Sequence, residues 1–330
     1  MKHGITAALC CLLLLATPVC ACARELAVGG QAVGIDLRTQ GVLVAGLAEV
    51  ETADGLCSPA REAGLCEGDR ILRLDGRAIN SATELIDAIA ALRGRETELT
   101  ALRGGRELKL RLQPALSSDG RWMLGMWLRD GSTGIGTLTF YDPETGVYGA
   151  LGHAVCELDG SPLPPLLDGS ITDAQIVDVI KGASGEPGEL NGCADPGRVL
   201  GRVERNTEQG LFGPAACVLG GQAAETGEAV PGPAVIRTTL SGHEVGEYTV
   251  EIRRVYAEGG VQRLLLAVTD PELLERAGGI VQGMSGSPIL QNGRLVGAVT
   301  HVLVSDPGRG YGIGIRDMLA AAGIAGEQAA

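Results

Sequence analysis

The sequence predicts a mainly β chain of two domains, a smaller α+β domain followed by a larger all-β domain. Three observations carry this. The chain has 330 residues, enough for two ordinary domains. Glycine occurs 51 times and aromatic residues make up only 3%, which suits many short strands and turns better than packed helices. Short apolar runs recur between Gly, Asn and Asp clusters through most of the chain, the pattern of strands bounded by turns.

Residues 1–23 read as an export signal. Lys2 is a short basic start, Ile5 to Ala16 is apolar, and Ala21-Cys-Ala23 is an A-x-A-like cleavage site. Two alternatives stay open. Val19-Cys-Ala-Cys22 loosely matches a lipoprotein box, which would lipidate Cys22. The apolar run could also stay as an anchor, although it is short for a span.

The first domain is expected over residues 24–114. Gly41-Val-Leu-Val-Ala45 is an apolar strand, Ser58 to Leu65 a short helical turn, and Arg70-Ile-Leu-Arg-Leu74 a strand closed by an Asp75-Gly76 hairpin. Ser81 with Glu84 three residues on forms a capping box. The helix that follows carries Leu85, Ile86, Ile89 and Leu92 at helical spacing. Leu99 to Leu112 reads as two strands around Gly104-Gly105.

This order resembles a bacterial PDZ domain. The resemblance rests on Ala63-Gly-Leu-x-x-Gly-Asp-x-Ile-x-x-Leu-Asp-Gly76, then Ile79 and the helix from Thr83. It implies capture of an extended peptide along a sheet edge. The matching carboxylate-binding loop is expected at Gly29, Gly30 and Gly34, leading into Ile35, with a side-chain pocket near Leu85 and Ile89. The plainer alternative is a domain that only scaffolds the second one.

The second domain is expected over residues 115–330. Trp122-Met-Leu, Met126-Trp-Leu and Gly134 to Phe140 read as its first strands, and Asp317 to Ala322 as a short C-terminal helix. Its centre is Gly278-Gly-Ile-Val-Gln-Gly-Met-Ser-Gly-Ser-Pro-Ile289, which sets Ser285 in a tight small-residue turn. An Asn292-Gly293 hairpin follows. Small residues let backbone N–H groups converge as an oxyanion hole, here those of Gly283 and Ser285. Trypsin-like peptidases have a similar turn before a similar hairpin, so the expected fold is a chymotrypsin-like pair of β barrels.

A serine needs a base. Of four histidines, His3 lies in the signal and His243 reads as a strand end. His153, at the end of Tyr148-Gly-Ala-Leu-Gly-His153, precedes the serine as in two-barrel peptidases and is the expected base. His301 is the second candidate. Asp159, Asp168, Asp173, Asp178, Asp195 and Asp270 all remain open as the orienting acid, and position alone favours Asp178 or Asp195. Ser287 is the rival nucleophile.

Five cysteines follow the signal: Cys57, Cys66, Cys156, Cys193 and Cys217. Their odd number suits an incomplete disulfide framework or buried free thiols, and none has zinc-site spacing, so no metal or cofactor is expected. The formal charge of −13 argues against a nucleic-acid partner.

Nearly the whole chain resembles the SpoIVB family of sporulation serine peptidases. The most specific pieces are Gly134-Ile-Gly-Thr-Leu-Thr-Phe-Tyr-Asp-Pro143, Tyr148 to His153, and Thr269-Asp270 through the serine turn to Ala298-Val-Thr-His-Val302. The resemblance implies His153 as base, Ser285 as nucleophile and Asp270 as the acidic residue, which either supports His153 directly or holds the serine loop. It also implies export from the forespore into the space between the forespore membranes. There the enzyme would cleave a membrane-bound regulatory protein, triggering intramembrane proteolysis and activation of a late sigma factor. Self-cleavage, assisted by the PDZ domain, is implied as well. Two other classes remain: a PDZ-based adaptor with an inactive peptidase domain, and a general envelope quality-control protease. In the latter the peptidase usually precedes the PDZ domain.

Overall fold

Strand pairing, not chain order, divides this molecule. The computed structural model describes residues 24–156 and 165–324, so residues 1–23, where an export signal is expected, and Asp159 lie outside the described residues. Glu25–Val28 (β1) and Ala32–Thr39 (β2) open the chain. Val33, Ile35 and Leu37 of β2 face one apolar core, while Ala32 faces a second. A strand apolar on both faces needs cover on both.

The chain then leaves for the PDZ domain. Its strands are Val42–Leu47 (β3), Arg70–Leu74 (β4), Thr97–Arg103 (β5), Arg106–Leu112 (β6) and Met126–Arg129 (β7), in sheet order β7-β3-β4-β5-β6. Its helices are Pro59–Glu62 (α1) and Ala82–Leu92 (α2). The expected local devices are present. Ser81 accepts from the Glu84 N–H at 3.1 Å, and the Glu84 carboxylate accepts from the Asn80 N–H at 2.8 Å. Asp75-Gly76 and Gly104-Gly105 have positive φ, as two-residue hairpins require. Leu65, Ile71, Leu85 and Leu99, each at most 1% exposed, fill the core, and each such burial stabilises by about 1.5–3 kcal/mol.

Beyond β7 the chain returns to the first barrel. Ser132–Tyr141 (β8) pairs with β2 from Ser132 opposite Leu37 to Thr137 opposite Ala32. Val147–Ala150 (β9), Leu166–Ile180 (β10), Glu189–Arg202 (β11) and Gly210–Pro214 (β12) complete the order β11-β10-β2-β8-β9-β12. A bridge between Gly201 and Ala215 curls this sheet back on itself. Gln222–Glu225 (β13) pairs with β1 on its outside.

The second barrel is closed. Gly232–Ser241 (β14), Glu244–Glu258 (β15), Val261–Val268 (β16), Pro288–Gln291 (β17), Arg294–Val302 (β18) and Arg309–Gly314 (β19) run in the order β14-β15-β16-β19-β18-β17. Asn292 and Gly293 make the β17–β18 turn with φ of 53° and 76°. Helices Pro271–Ala277 (α3) and Ile315–Ala321 (α4) pack on it. The chain is thus mainly β: a PDZ domain and a chymotrypsin-like pair of barrels.

Two expectations are corrected here. The boundaries 24–114 and 115–330 do not describe the domains. β1 and β2 belong to the first barrel, Met126–Arg129 belongs to the PDZ sheet, and Trp122 and Leu124 pack on the PDZ core, so the PDZ domain is inserted between β2 and β8. The Gly29–Ile35 segment is also not a peptide-binding loop. Gly29 and Gly30 donate to Thr139 and Leu138. Gly34 and Ile35 are paired on both sides, with Ile135 and Gly134 of β8 and with Thr172 and Ile171 of β10. No edge is left there to receive a peptide. The edge strand beside α2 is β7, where the Asp130 carboxylate accepts from the Ala82 N–H at 2.7 Å. Leu85 and Ile89 are buried in the core, while Ala82, Ala88, Leu92, Met126 and Leu128 pack half-buried against it.

Candidate active site

The serine turn is built by glycines that no other residue replaces cheaply. Gly278 ends α3 in the left-handed region, and Gly283 and Gly286 have φ of 93° and 94°. Within the turn, the Gly286 N–H donates to Val299 at 2.8 Å and the Ser287 N–H to Met284 at 2.9 Å. The N–H groups of Gly283 and Ser285, the pair expected to form an oxyanion hole, have no acceptor among the described residues.

Ser285 is half-buried and its Oγ donates to the Thr300 carbonyl at 2.6 Å. Ser287 is fully buried, with its Oγ unpartnered among the described residues, so no substrate reaches it.

His153 lies on the loop after β9, against the same seam. A Cβ on Gly286 would lie 2.5 Å from the Leu151 nitrogen, and one on Gly152 would lie 3.1 Å from the Thr300 Cγ2. The His153 and His301 ring centroids are 4.4 Å apart. Serine, Thr300, His301 and His153 therefore form one chain of neighbours, with Ser285 bonded to Thr300 rather than to His153.

The His153 Nδ1 meets the Ala154 carbonyl at 2.7 Å. A carbonyl can only accept, so Nδ1 carries the proton and Nε2 keeps a free lone pair. Burial holds the His153 pKa below the ordinary imidazole value, opposed by the bond to Ala154. His301 is lowered to about 4, first by burial and then by repulsion from His153 and Arg263. Both rings are neutral at neutral pH, the form a general base requires.

Asp270 is corrected. Its carboxylate accepts from the Leu273 N–H and the Thr249 N–H, each at 3.1 Å. It caps α3 and ties that helix to β15, and it contacts neither His153 nor the backbone of the serine turn. Asp270-Pro271 is an N-cap followed by a first-turn proline, a local signature that explains the residue without catalysis. The other acids are engaged elsewhere: Asp168 with Arg38, Asp173 with Arg198 and His243, and Asp195 with the Gly197 N–H. Asp178 lies on β10 opposite Asn191. Among the described residues, the group that orients His153 is the Ala154 carbonyl.

Two further sets of residues build the turn without carrying reactive groups. Thr137 and Thr139 of β8 donate to the carbonyls of Gly283 and Gly286. The β10–β11 tip pairs with Gln282: Gln282 donates to Gly188 at 2.8 Å, and Leu190 donates to Gln282 at 2.9 Å. The one sequence signal for the first set is a pair of threonines alternating inside an apolar strand. Cys57, Cys66, Cys156, Cys193 and Cys217 are free, but only Cys57 is half-buried and the other four are exposed, so the expectation of buried thiols is not met; no cluster of His, Cys, Asp and Glu suited to a metal occurs among the described residues.

Comparisons with known proteins give the family. The SpoIVB peptidase S55 family matches residues 120–319, and a PDZ domain matches residues 36–113. A protein of Clostridium perfringens (strain 13 / Type A), CPE1693, named as a candidate zinc metalloprotease, is 33% identical over 69 residues. The match covers 21% of each chain, so the present chain spans about a fifth of that relative's length. Similar solved structures include the PDZ domain of the SdrC-like protein Lmo2051 from Listeria monocytogenes, at 26% identity and a TM-score of 0.20, covering 26% of this chain and 87% of that one. The active form of the Rv3671c protease from M. tuberculosis matches at 15% identity and a TM-score of 0.35, covering 58% of this chain and 75% of that one. Both TM-scores are low, and the fold rests on the strand pairing described above. With more than half of its residues matched, and with the PDZ domain preceding the peptidase, the chain belongs to the SpoIVB peptidase S55 family and is a serine peptidase.

Proposed function

We propose that Ser285 is the nucleophile, His153 the general base, and the Gly283 and Ser285 N–H groups the oxyanion hole. The observation that carries this is the His153 tautomer: Nδ1–H is engaged by Ala154, leaving a basic Nε2 on the seam that holds Ser285. For reaction, the Ser285 hydroxyl turns from Thr300 toward His153. Oγ attacks the scissile carbonyl as its proton passes to Nε2. The two N–H groups hold the resulting oxyanion. Nε2 then returns the proton to the leaving amine, and water repeats the sequence on the acyl-enzyme. No cofactor takes part in this reading.

The wider role proposed is that of the family. The enzyme is exported from the forespore and works beside a membrane, secreted or anchored. It cleaves a membrane-bound regulatory protein, and itself in trans, so that intramembrane proteolysis activates a late sigma factor. A peptide of the substrate, or of another copy, adds to the β7 edge beside α2. Family membership supports this reading.

The second reading is an adaptor with a silent peptidase domain. The Ser285–Thr300 bond favours it, since the hydroxyl is held away from His153. A fluorophosphonate probe separates the two. Wild type should label at Ser285, and Ser285→Ala should lose labelling and about 10³-fold or more of turnover while staying folded. Labelling that survives in Ser285→Ala but is lost in Ser287→Ala would reject the assignment. Mass spectrometry of both proteins would read the mature N-terminus and any self-cleavage.

A further inference from the structure

A serine turn rich in glycine is short of side chains to hold it. Its backbone groups must be fixed from outside if two N–H groups are to point at one oxygen. Strand β8 of the opposite barrel does this at three points. Thr137 Oγ1 donates to the Gly283 carbonyl at 2.9 Å, the Thr137 N–H donates to the Ser285 carbonyl at 2.9 Å, and Thr139 Oγ1 donates to the Gly286 carbonyl at 2.7 Å. The approach is close: a Cβ on Gly286 would lie 2.1 Å from the Thr137 carbonyl oxygen.

Each peptide plane joins one carbonyl to the next N–H. The plane bearing the Gly283 N–H is held by Leu190, which donates to the Gln282 carbonyl at 2.9 Å. The plane on the other side of Gly283 is held by Thr137 Oγ1. A glycine at φ 93° has soft dihedrals, and these two anchors restrain it on both sides. The planes following Ser285 and Gly286 are held by the Thr137 N–H and the Thr139 hydroxyl. Both threonines are at most 1% exposed, within a strand whose other buried side chains near them are apolar. A buried hydroxyl needs an acceptor. Here both hydroxyls spend that need on the turn rather than on their own barrel.

We infer that Thr137 and Thr139 are positioning residues for the reaction, with hydroxyls that hold the serine turn in the shape that aims the Gly283 and Ser285 N–H groups at a developing oxyanion. This deepens the proposed function and rests on Ser285 being the nucleophile. A plain packing role predicts a different response, because Val has nearly the shape of Thr and lacks only the hydroxyl.

The test compares Thr137→Val, Thr139→Val and the corresponding Ser variants in the full chain. Readouts are kcat and KM on a peptide substrate, affinity for a peptide boronate that becomes tetrahedral on the serine, and affinity for the cleaved product peptide. Each Val variant should lower kcat by up to about 10²-fold, the scale of a small misplacement at a reacting centre. KM should move by less than about threefold, because the loss falls on the transition state alone. Boronate affinity should fall with kcat, product affinity should hold, and Ser should restore both within about threefold. Val variants with kcat within about twofold of wild type would overturn the inference, as would equal losses of boronate and product affinity. So would Ser variants that fail to restore turnover. If a Val variant does not fold, the folded Ser variant decides: turnover near wild type supports the inference, and turnover as low as that of a packing mutant rejects it. Persistent cleavage by Ser285→Ala would instead reject the nucleophile assignment, leaving the two failures distinguishable.

Discussion

Replacing Asp270 separates capping from catalysis. Its carboxylate makes two backbone contacts, to Leu273 at the start of α3 and to Thr249 on β15. Loss of an N-cap side chain costs about 1 kcal/mol, and loss of a second, partly exposed hydrogen bond about 0.5–1 kcal/mol more. Asp270→Ala should therefore destabilise by about 1.5–2 kcal/mol, read as a lower urea midpoint with an unchanged slope. Asn caps a helix as well as Asp does and keeps one acceptor oxygen. With that oxygen on Leu273 it loses the Thr249 contact, about 0.5–1 kcal/mol, and the charge at the helix N-terminus, about 0.3–1 kcal/mol. Asp270→Asn should thus keep kcat within about twofold of wild type while losing about 1–2 kcal/mol of stability. A triad acid behaves differently: its Asn variant keeps the fold and loses about 10⁴-fold in kcat. A fully folded Asp270→Asn with turnover reduced on that scale would refute the capping assignment and require the acid to reach His153 during the reaction.

Three other outcomes follow from the structure. The acid limb of kcat/KM should lie below the ordinary imidazole range, since burial lowers His153 and activity rises as Nε2 loses its proton; a limb above pH 7 in a pH–rate profile would contradict this. His301 binds a proton in the unfolded chain near its ordinary value of 6.5 but in the folded chain only near 4, so stability should fall on acidification through that window, and His301→Gln should flatten the decline in pH-dependent urea melts. Replacing residues 41–130 by a two-residue turn should leave a folded, probe-reactive peptidase, because Leu37 and Ser132 already face each other; removing residues 24–114 should instead yield unfolded protein, because it takes β1 and β2 out of the barrel, and circular dichroism with probe labelling distinguishes the two. If the excised form also cleaves the natural substrate as well as wild type does, β7 is no recruitment edge.

What could be read from the sequence was local. Ser81 with Glu84, Asp75-Gly76 and Asn292-Gly293 each declare a cap or a turn through a few adjacent residues, and each forms where expected. The serine turn declares itself the same way, because its glycines have no cheap substitute. His153 stands out through its small-residue strand and the scarcity of histidines, and the structure sets it beside His301 near the serine turn. The strand Ala32–Thr39 was not assignable, because its sequence specifies a strand buried on two faces but not which sheet supplies the neighbours. Its partners in β8 and β10 lie about a hundred residues on and beyond the whole PDZ insertion. Pattern matching to a PDZ domain filled that gap with the nearest strand in sequence. The pairing filled it with β7, which approaches β3 from the other end of the domain.

The acid was misread for a related reason. Searching the sequence for a triad presumes that a carboxylate must orient the base, and Asp270 is the carboxylate of the motif that leads into the serine turn. What the imidazole needs is an acceptor for Nδ1–H, of whatever kind. Ala154 supplies one from the backbone, one residue from His153 and invisible to any reading based on side chains. A carbonyl fixes the tautomer as a carboxylate would, but it brings no full negative charge to stabilise the imidazolium formed during attack. The cation must then be stabilised by what surrounds it, and the adjacent His301 ring, neutral at neutral pH, brings no negative charge to it. In the proposed mechanism, transition-state stabilisation then falls more on the oxyanion side, on the N–H groups of Gly283 and Ser285. On that reading the turn's rigidity, with the threonine and hairpin-tip hydrogen bonds to it, should weigh more than in a site with a charged acid behind its base.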